Sequence, residues 1–466
     1  MLRTALATLR FRWASFAGAA FALVLGSGVA AMMITTLAAA SVTSPGGDPG
    51  QLSSAQAMAG TSTLLGVSVA VFVVAATFAF ATEQRRREIG LLRAVGATPR
   101  QVRRMIIAEA AVVGLLASGT GCVLGALATP VLRSWMTSHG VAPAWFVIPV
   151  TAPPLLIAFA VGVASALAGA IAASWRAARV RPGEALRDTA SSTSVMTGSR
   201  WLLGLGLLAG GAYAGRAIIT GSPASAMIVK DDMPALVLIV AGCALLAPVL
   251  LRPVARAATG PLARAGAGSM VVRQNVLWAG RRTAAIAAPV VLALGLAIAM
   301  LAIEASASAT AQAAALGQLP AALAGVSAHD QAQNRQATAV ILGMALIYCF
   351  IAIANTTMIA ARARNREIAA LGLAGATRRQ VLVLVAAESA LTAAIGAIVA
   401  AVAAAVVIGG QHAALTRFAN PAPVVIPWQP LSEITAACLI IAVTASVLST
   451  ARSLRKPLIE LTGPHE

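Results

Sequence analysis

Twice in this sequence, 279 residues apart, one set of ionic, small and apolar residues recurs. Arg87-Glu88-Ile89, Leu92, Gly96-Ala97-Thr98, Arg100-Gln101-Val102 and Glu109 return as Arg366-Glu367-Ile368, Leu371, Gly375-Ala376-Thr377, Arg379-Gln380-Val381 and Glu388. Chance does not repeat so many aligned positions, so the chain reads as an internal duplication. The chemistry open to these residues is electrostatic and steric: carboxylates and guanidiniums can pair, and Gly, Thr and Gln can shape a turn. Covalent chemistry finds no footing elsewhere. Neither Lys230 nor Lys456 sits in the Gly-rich turn that a phosphate-binding loop needs. His139, His329, His412 and His465 are dispersed through loops and tail, which offers no triad or metal set. Cys122, Cys243, Cys349 and Cys438 each lie in an apolar stretch, without disulfide or zinc spacing. No catalytic, cofactor-binding or metal residue is assigned.

The repeated residues imply the elements that hold them. Glu83 to Val95 reads as an Arg-rich helix that Gly96 can end by taking a positive φ. Thr98 can then cap a second helix, with Pro99 at its first position and Gln101 completing a capping box; Thr377 and Gln380 repeat the box. Each copy is thus a helix-turn-helix elbow at the membrane surface. Two readings of it stand. Arg85, Arg86, Arg87, Arg364 and Arg366 could simply anchor helix ends among anionic headgroups, or the elbow could dock a partner. Anchoring explains the charge but not the repeated Glu88 and Glu367, the Gly-Ala-Thr turn or the capping box. Glu109 and Glu388 start matching spans within about two turns of the elbow. They could transmit elbow movement by pairing with a cytoplasmic-end Arg such as Arg103 or Arg104, or sit hydrated at the interface.

Composition sets the surroundings. Of 466 residues, 59% are hydrophobic and 11% charged, against roughly 25% charged in a soluble domain, so an all-α polytopic membrane protein in the lipid bilayer is expected. The net charge of +19 does not indicate nucleic-acid binding, because the basic residues fall in short blocks between apolar runs and are not interleaved with aromatics. Ten runs are long enough to span as helix: about 14–40, 62–82, 106–130, 152–174, 201–220, 234–251, 283–306, 337–360, 381–409 and 431–451. With both termini cytoplasmic, only Arg133, Arg216, Lys230, Arg335 and Arg417 of the 34 basic residues face outward, as the positive-inside rule requires. The first run is too long for a signal-peptide core and reads as a retained span. The Arg and Ala bias hints at a GC-rich bacterial genome, hence the bacterial cell (inner) membrane. Outer segments 41–61 and 307–336 are too short for a sizeable folded domain, so outer-face recognition must use helix ends or a partner protein. The expected domains are a four-span repeat over 1–190, a two-span insertion over 191–255 and a second four-span repeat over 256–466. Arg181-Pro182-Gly183-Glu184-Ala185-Leu186 and, more loosely, Lys456-Pro457-Leu458-Ile459-Glu460-Leu461 close the two repeats.

These residues resemble a known family. The run from Glu83 to Thr98, its Arg-Gln-Val continuation and the Arg-Pro-x-Glu-Ala-Leu tail look like the FtsX-like permease domain of MacB-type ABC transporters, in its duplicated ten-span branch. The resemblance covers most of 60–190 and 335–460. It implies a permease subunit of an ABC-type transporter, not itself an enzyme, that works with a cytoplasmic ABC ATPase dimer holding the ATP and Mg. The elbow would then be the coupling helix. Arg87, Glu88, Gly96, Ala97 and Thr98 would serve one ATPase subunit, and Arg366, Glu367, Gly375, Ala376 and Thr377 the other. The second copy has Ala369 for Gly90 and Gly372 for Arg93, which sets the two elbows apart. The large extracytoplasmic domain common in the family is missing, and with it the part that would indicate a substrate. Export or extraction of an antibiotic, peptide or lipid-like molecule is the first expectation. A non-transporting mechanotransmission regulator of an envelope enzyme or sensor kinase is the second. An ion-driven secondary transporter would need acidic residues at mid-membrane, whereas these lie near span ends.

Overall fold

In the computed structural model the described residues are 2–42, 60, 63, 67–68, 86–138, 145–178, 198–220, 229–260, 267–278, 280–317, 328–362, 364–417 and 423–455. They form helices and no strand. In chain order these are α1 (Leu2–Val42), α2 (Arg86–Ala94), α3 (Pro99–Ser138), α4 (Ala152–Ala178), α5 (Gly198–Thr220), α6 (Val229–Leu245), α7 (Ala247–Ala258), α8 (Ala267–Trp278), α9 (Gly280–Ala315), α10 (Ala328–Arg362), α11 (Asn365–Leu373), α12 (Arg378–Leu415) and α13 (Trp428–Ser453). Seven of them contain stretches long and apolar enough to cross a membrane, or eight if the bent pair α6–α7 is one span. Apart from residues 63, 67 and 68, the expected span over 62–82 lies outside the described residues, as do the Arg181–Leu186 and Lys456–Leu461 segments.

The duplication is carried by the backbone. Shifted by 279, α2 coincides with α11, and α3 starts where α12 starts. Packing repeats too: α1 lies along α3 and α3 along α4, while α9 lies along α12 and α12 along α13. A lipid-facing helix needs only one apolar stripe against protein, so the outer faces of α3 (Leu116, Leu127, Val131) and α12 (Val402, Val406) remain exposed.

Two compact units result. The first comprises residues 1–192 with 329–348, the second 193–328 with 349–466. In the first, α1 and α3 cross at glycines. A Cβ on Gly121 would run into Ser27 Oγ and the Val24 carbonyl, and one on Gly125 into the Gly28 carbonyl. The second repeat has Ala400 and Ala404 at the matching places, both fully enclosed, so its helices do not require this close approach. A Gly125→Ala variant is therefore expected to lower the thermal unfolding midpoint measurably, since overpacking typically costs about 1–3 kcal/mol. Unfolding of the detergent-solubilised protein, followed by tryptophan fluorescence, reads it. The Tyr348 hydroxyl also belongs to this unit and donates to the Ala22 carbonyl at 3.0 Å.

In the second unit α9 is the central helix, with 89% of its apolar window buried. It is lined by α12 on one side, where Gly396 meets Val290, and by α6 on another, where Gly295 meets Val240. Helices α5 and α6 pack on each other and on α12. The sixth expected span, over about 234–251, bends by 71° at Leu246. Pro248 lies at the start of α7, where a missing N–H and a ring clash with the preceding turn break helical continuity. Beyond the bend α7 is amphipathic, burying Leu251 and Ala255 while Arg252 and Arg256 remain outward.

Candidate functional site

Both elbows are built as their residues dictate. Gly96 has φ +106° and Gly375 φ +91°, left-handed values that a side chain resists. Around each, the helix end closes in a Schellman arrangement. The Gly96 N–H donates to the Arg93 carbonyl (3.1 Å) and the Ala97 N–H to the Leu92 carbonyl (2.9 Å); Gly375 to Gly372 (3.1 Å) and Ala376 to Leu371 (2.9 Å) repeat it. Reciprocal caps then start the long helices. The Thr98 N–H donates to Gln101 Oε1 at 2.8 Å and the Gln101 N–H to Thr98 Oγ1 at 3.3 Å, with the same two distances at Thr377 and Gln380. Nothing lies within 4 Å of a Cβ on Gly96 or Gly375, so a substitution there is opposed by backbone conformation alone. Gly96→Ala is expected to cost about 1–2 kcal/mol locally, and Gly96→Asn less because Asn tolerates this region. Hydrogen exchange of residues 86–101 should quicken in that order.

The repeated isoleucines hold each short helix to its long one. Ile89 is buried with Val102 and Ile106, and Ile368 with Val381 and Val385, matching positions throughout. Ala97 and Ala376 pack partly against these small cores. Gly, Ala and Thr of the repeated turn therefore shape the elbow. Its outward apolar surface is supplied by other residues: Leu91, Leu92 and Val95 in the first, of which Val95 is 90% exposed, and Leu373, 73% exposed, in the second. The two exposed tips differ by one register position, so the elbows are geometrically alike but chemically unequal.

The remaining expected residues fall as follows. Arg87 and Glu88 lie on α2, and Arg366 lies on α11; their side chains are outside the described residues. Glu109 is buried at 2% exposure on α3. Glu388 is buried on α12, and it is ion-paired rather than hydrated. Its partners are not neighbours on its own helix but Arg282 at the start of α9 and Arg364 immediately before α11, the latter at 2.7 Å. Asn275 Nδ2 of α8 adds a long contact to Glu388 at 3.4 Å. The same two arginines reach Glu367 of the elbow, Arg364 at 3.1 Å and Arg282 at 3.4 Å. Two guanidiniums and two carboxylates make a neutral set, which is what permits three of them to be largely enclosed: Arg282, Arg364 and Glu388 expose 14%, 7% and 7% of their side chains. Glu367 remains 58% exposed.

Arg282 and Arg364 were thus not assigned a pairing role by sequence reasoning, although a signal existed. Arg3-Thr4-Ala5 precedes the first span as Arg282-Thr283-Ala284 precedes the seventh, and Arg85 precedes the first elbow as Arg364 precedes the second, both at the 279-residue offset. Thr283 has a structural part of its own, donating to the Val276 carbonyl at 3.2 Å across the α8–α9 break.

Residues 60–182 and 339–458 each match the family described as FtsX-like permease C-terminal. The two matches start 279 residues apart and together span more than half of the chain. Each contains one elbow with the long helix that follows it.

Proposed function

Because the chain belongs to the FtsX-like permease family, a family of ABC-transporter-type membrane components, we propose that it couples ATP hydrolysis by a separate cytoplasmic ABC ATPase dimer to movement of its transmembrane helices. The observation that supports this reading best is the pair of elbows. Both have the same caps and turn, and each ends in an exposed apolar tip at the start of a helix of 40 or 38 residues. At 1.5 Å per residue such a helix is nearly 60 Å long, about twice the hydrocarbon core. A push on the elbow is therefore applied to a lever that reaches across the bilayer.

In this reading the chain is a multi-pass protein of a bacterial inner membrane, with its elbows and both termini in the cytoplasm. One chain presents two elbows, one for each ATPase subunit. ATP and Mg belong to the partner. Closure of the ATPase dimer moves the elbows, and α3 and α12 follow, which exports or extracts a substrate, of antibiotic, peptide or lipid-like type.

Affinity purification from native membranes in mild detergent tests the reading. An ABC ATPase identified by its nucleotide-binding motifs should co-purify at two subunits per chain, and its absence would sink the proposal. Stimulation of its hydrolysis by amphipathic small molecules or lipids supports transport; stimulation only by an envelope protein would replace transport with mechanical signalling.

A further inference from the structure

The four charges around Glu388 join elements that the permease reading treats separately: Glu367 on the elbow, Arg364 between α10 and the elbow, Arg282 at the foot of α9, and Glu388 on α12. Each arginine touches both carboxylates, so no pair can open without disturbing the other. Glu388 lies ten residues into α12, about 15 Å from its start, which places the buried end of the cluster inside the bundle and its open end, Glu367, on the elbow.

We propose that Arg282 and Arg364 are positioning residues of an ionic clamp that makes the elbow and the feet of α9, α10 and α12 move as one body. An elbow hinged only by the Ile368 core could tilt independently and dissipate a push. With the clamp closed, the push on α11 reaches α9, the most enclosed helix of the second unit, directly. This inference rests on the coupling reading above for its purpose, but not for its existence.

Arg282→Gln separates the two. Arg282 is largely enclosed and lies outside the elbow, and its loss leaves Glu388 paired with Arg364. In the purified permease without any ATPase, hydrogen exchange over residues 365–373 should rise at least about tenfold, the factor expected for losing a charge-assisted hydrogen bond. Exchange within 390–410 should stay unchanged and show that the protein is folded. Arg282→Lys should restore most of the protection, which removal of a packing group alone would not explain. Unchanged exchange in the elbow of Arg282→Gln overturns the clamp, whatever the ATPase does.

With the ATPase bound, Arg282→Gln should retain ATPase affinity within about twofold. It should nevertheless lose most of the ATP-driven distance change between spin labels at the outer ends of α9 and α12. Wild-type protein that binds no ATPase removes the coupling reading and leaves the clamp to the exchange result. A variant that binds ATPase and moves like wild type overturns the assigned purpose of the clamp.

Discussion

Glu388→Ala is expected to destabilise the second unit by about 3–5 kcal/mol, the usual consequence of leaving a buried charge without its partner. Arg364 and Arg282 would keep their enclosed positions with, among the described residues, one counter-charge between them, and that one, Glu367, is mostly in water. Water and detergent headgroups screen Glu367 and reduce what it can return. Glu388→Gln should cost less, because the amide oxygen still accepts from a guanidinium and only the ionic component is lost. The informative contrast is the triple change Arg282→Met, Arg364→Met, Glu388→Leu. Replacing a whole buried ionic set by apolar groups of similar volume is often neutral, so the triple variant should unfold within about 2 kcal/mol of wild type. Midpoints of thermal unfolding in one detergent, with tryptophan emission as the probe, order the three. A single Glu388→Ala midpoint equal to wild type would mean that the pairing contributes nothing to the fold.

The second large effect concerns the exposed elbow tips. Val95→Asp combined with Leu373→Asp is expected to abolish ATPase association, each single change weakening it about tenfold. Fully burying an aliphatic side chain is worth about 1.5–3 kcal/mol, and a carboxylate in its place carries a desolvation cost besides. Two elbows on one chain engage an ATPase dimer bivalently, so losing both tips costs more than either loss alone. Both side chains already face solvent in the free protein, so stability should stay within about 0.5 kcal/mol of wild type. Titration of purified ATPase onto detergent-solubilised variants measures the affinity. If the tips do not touch the partner, the double variant binds as wild type does.

Much of the elbow was legible in the chain itself. Gly96, Thr98 and Gln101 act within five residues of one another, and a turn of that reach depends on backbone conformation and short hydrogen bonds that local sequence sets. The same holds for Gly375, Thr377 and Gln380. The membrane class and the duplication were equally open to reading, because hydropathy over about 20 residues and a fixed offset are one-dimensional properties. The bend at Leu246 was less so. Pro248 announces a break, but its 71° angle depends on how α7 packs against α9 and α12.

The pairing of the charges belongs to the tertiary structure. Glu388 finds Arg282 across 106 residues of sequence, and its nearest arginines in sequence, Arg378 and Arg379, remain exposed at the start of its own helix. Sequence determined that an acidic residue would sit near the foot of each long helix; only the packing of α9, α11 and α12 decided which guanidiniums are brought to it and which stay in water. The physical reason is range. Caps and turns are satisfied by neighbours in sequence, whereas a buried charge takes its partner from whatever element the fold lays beside it.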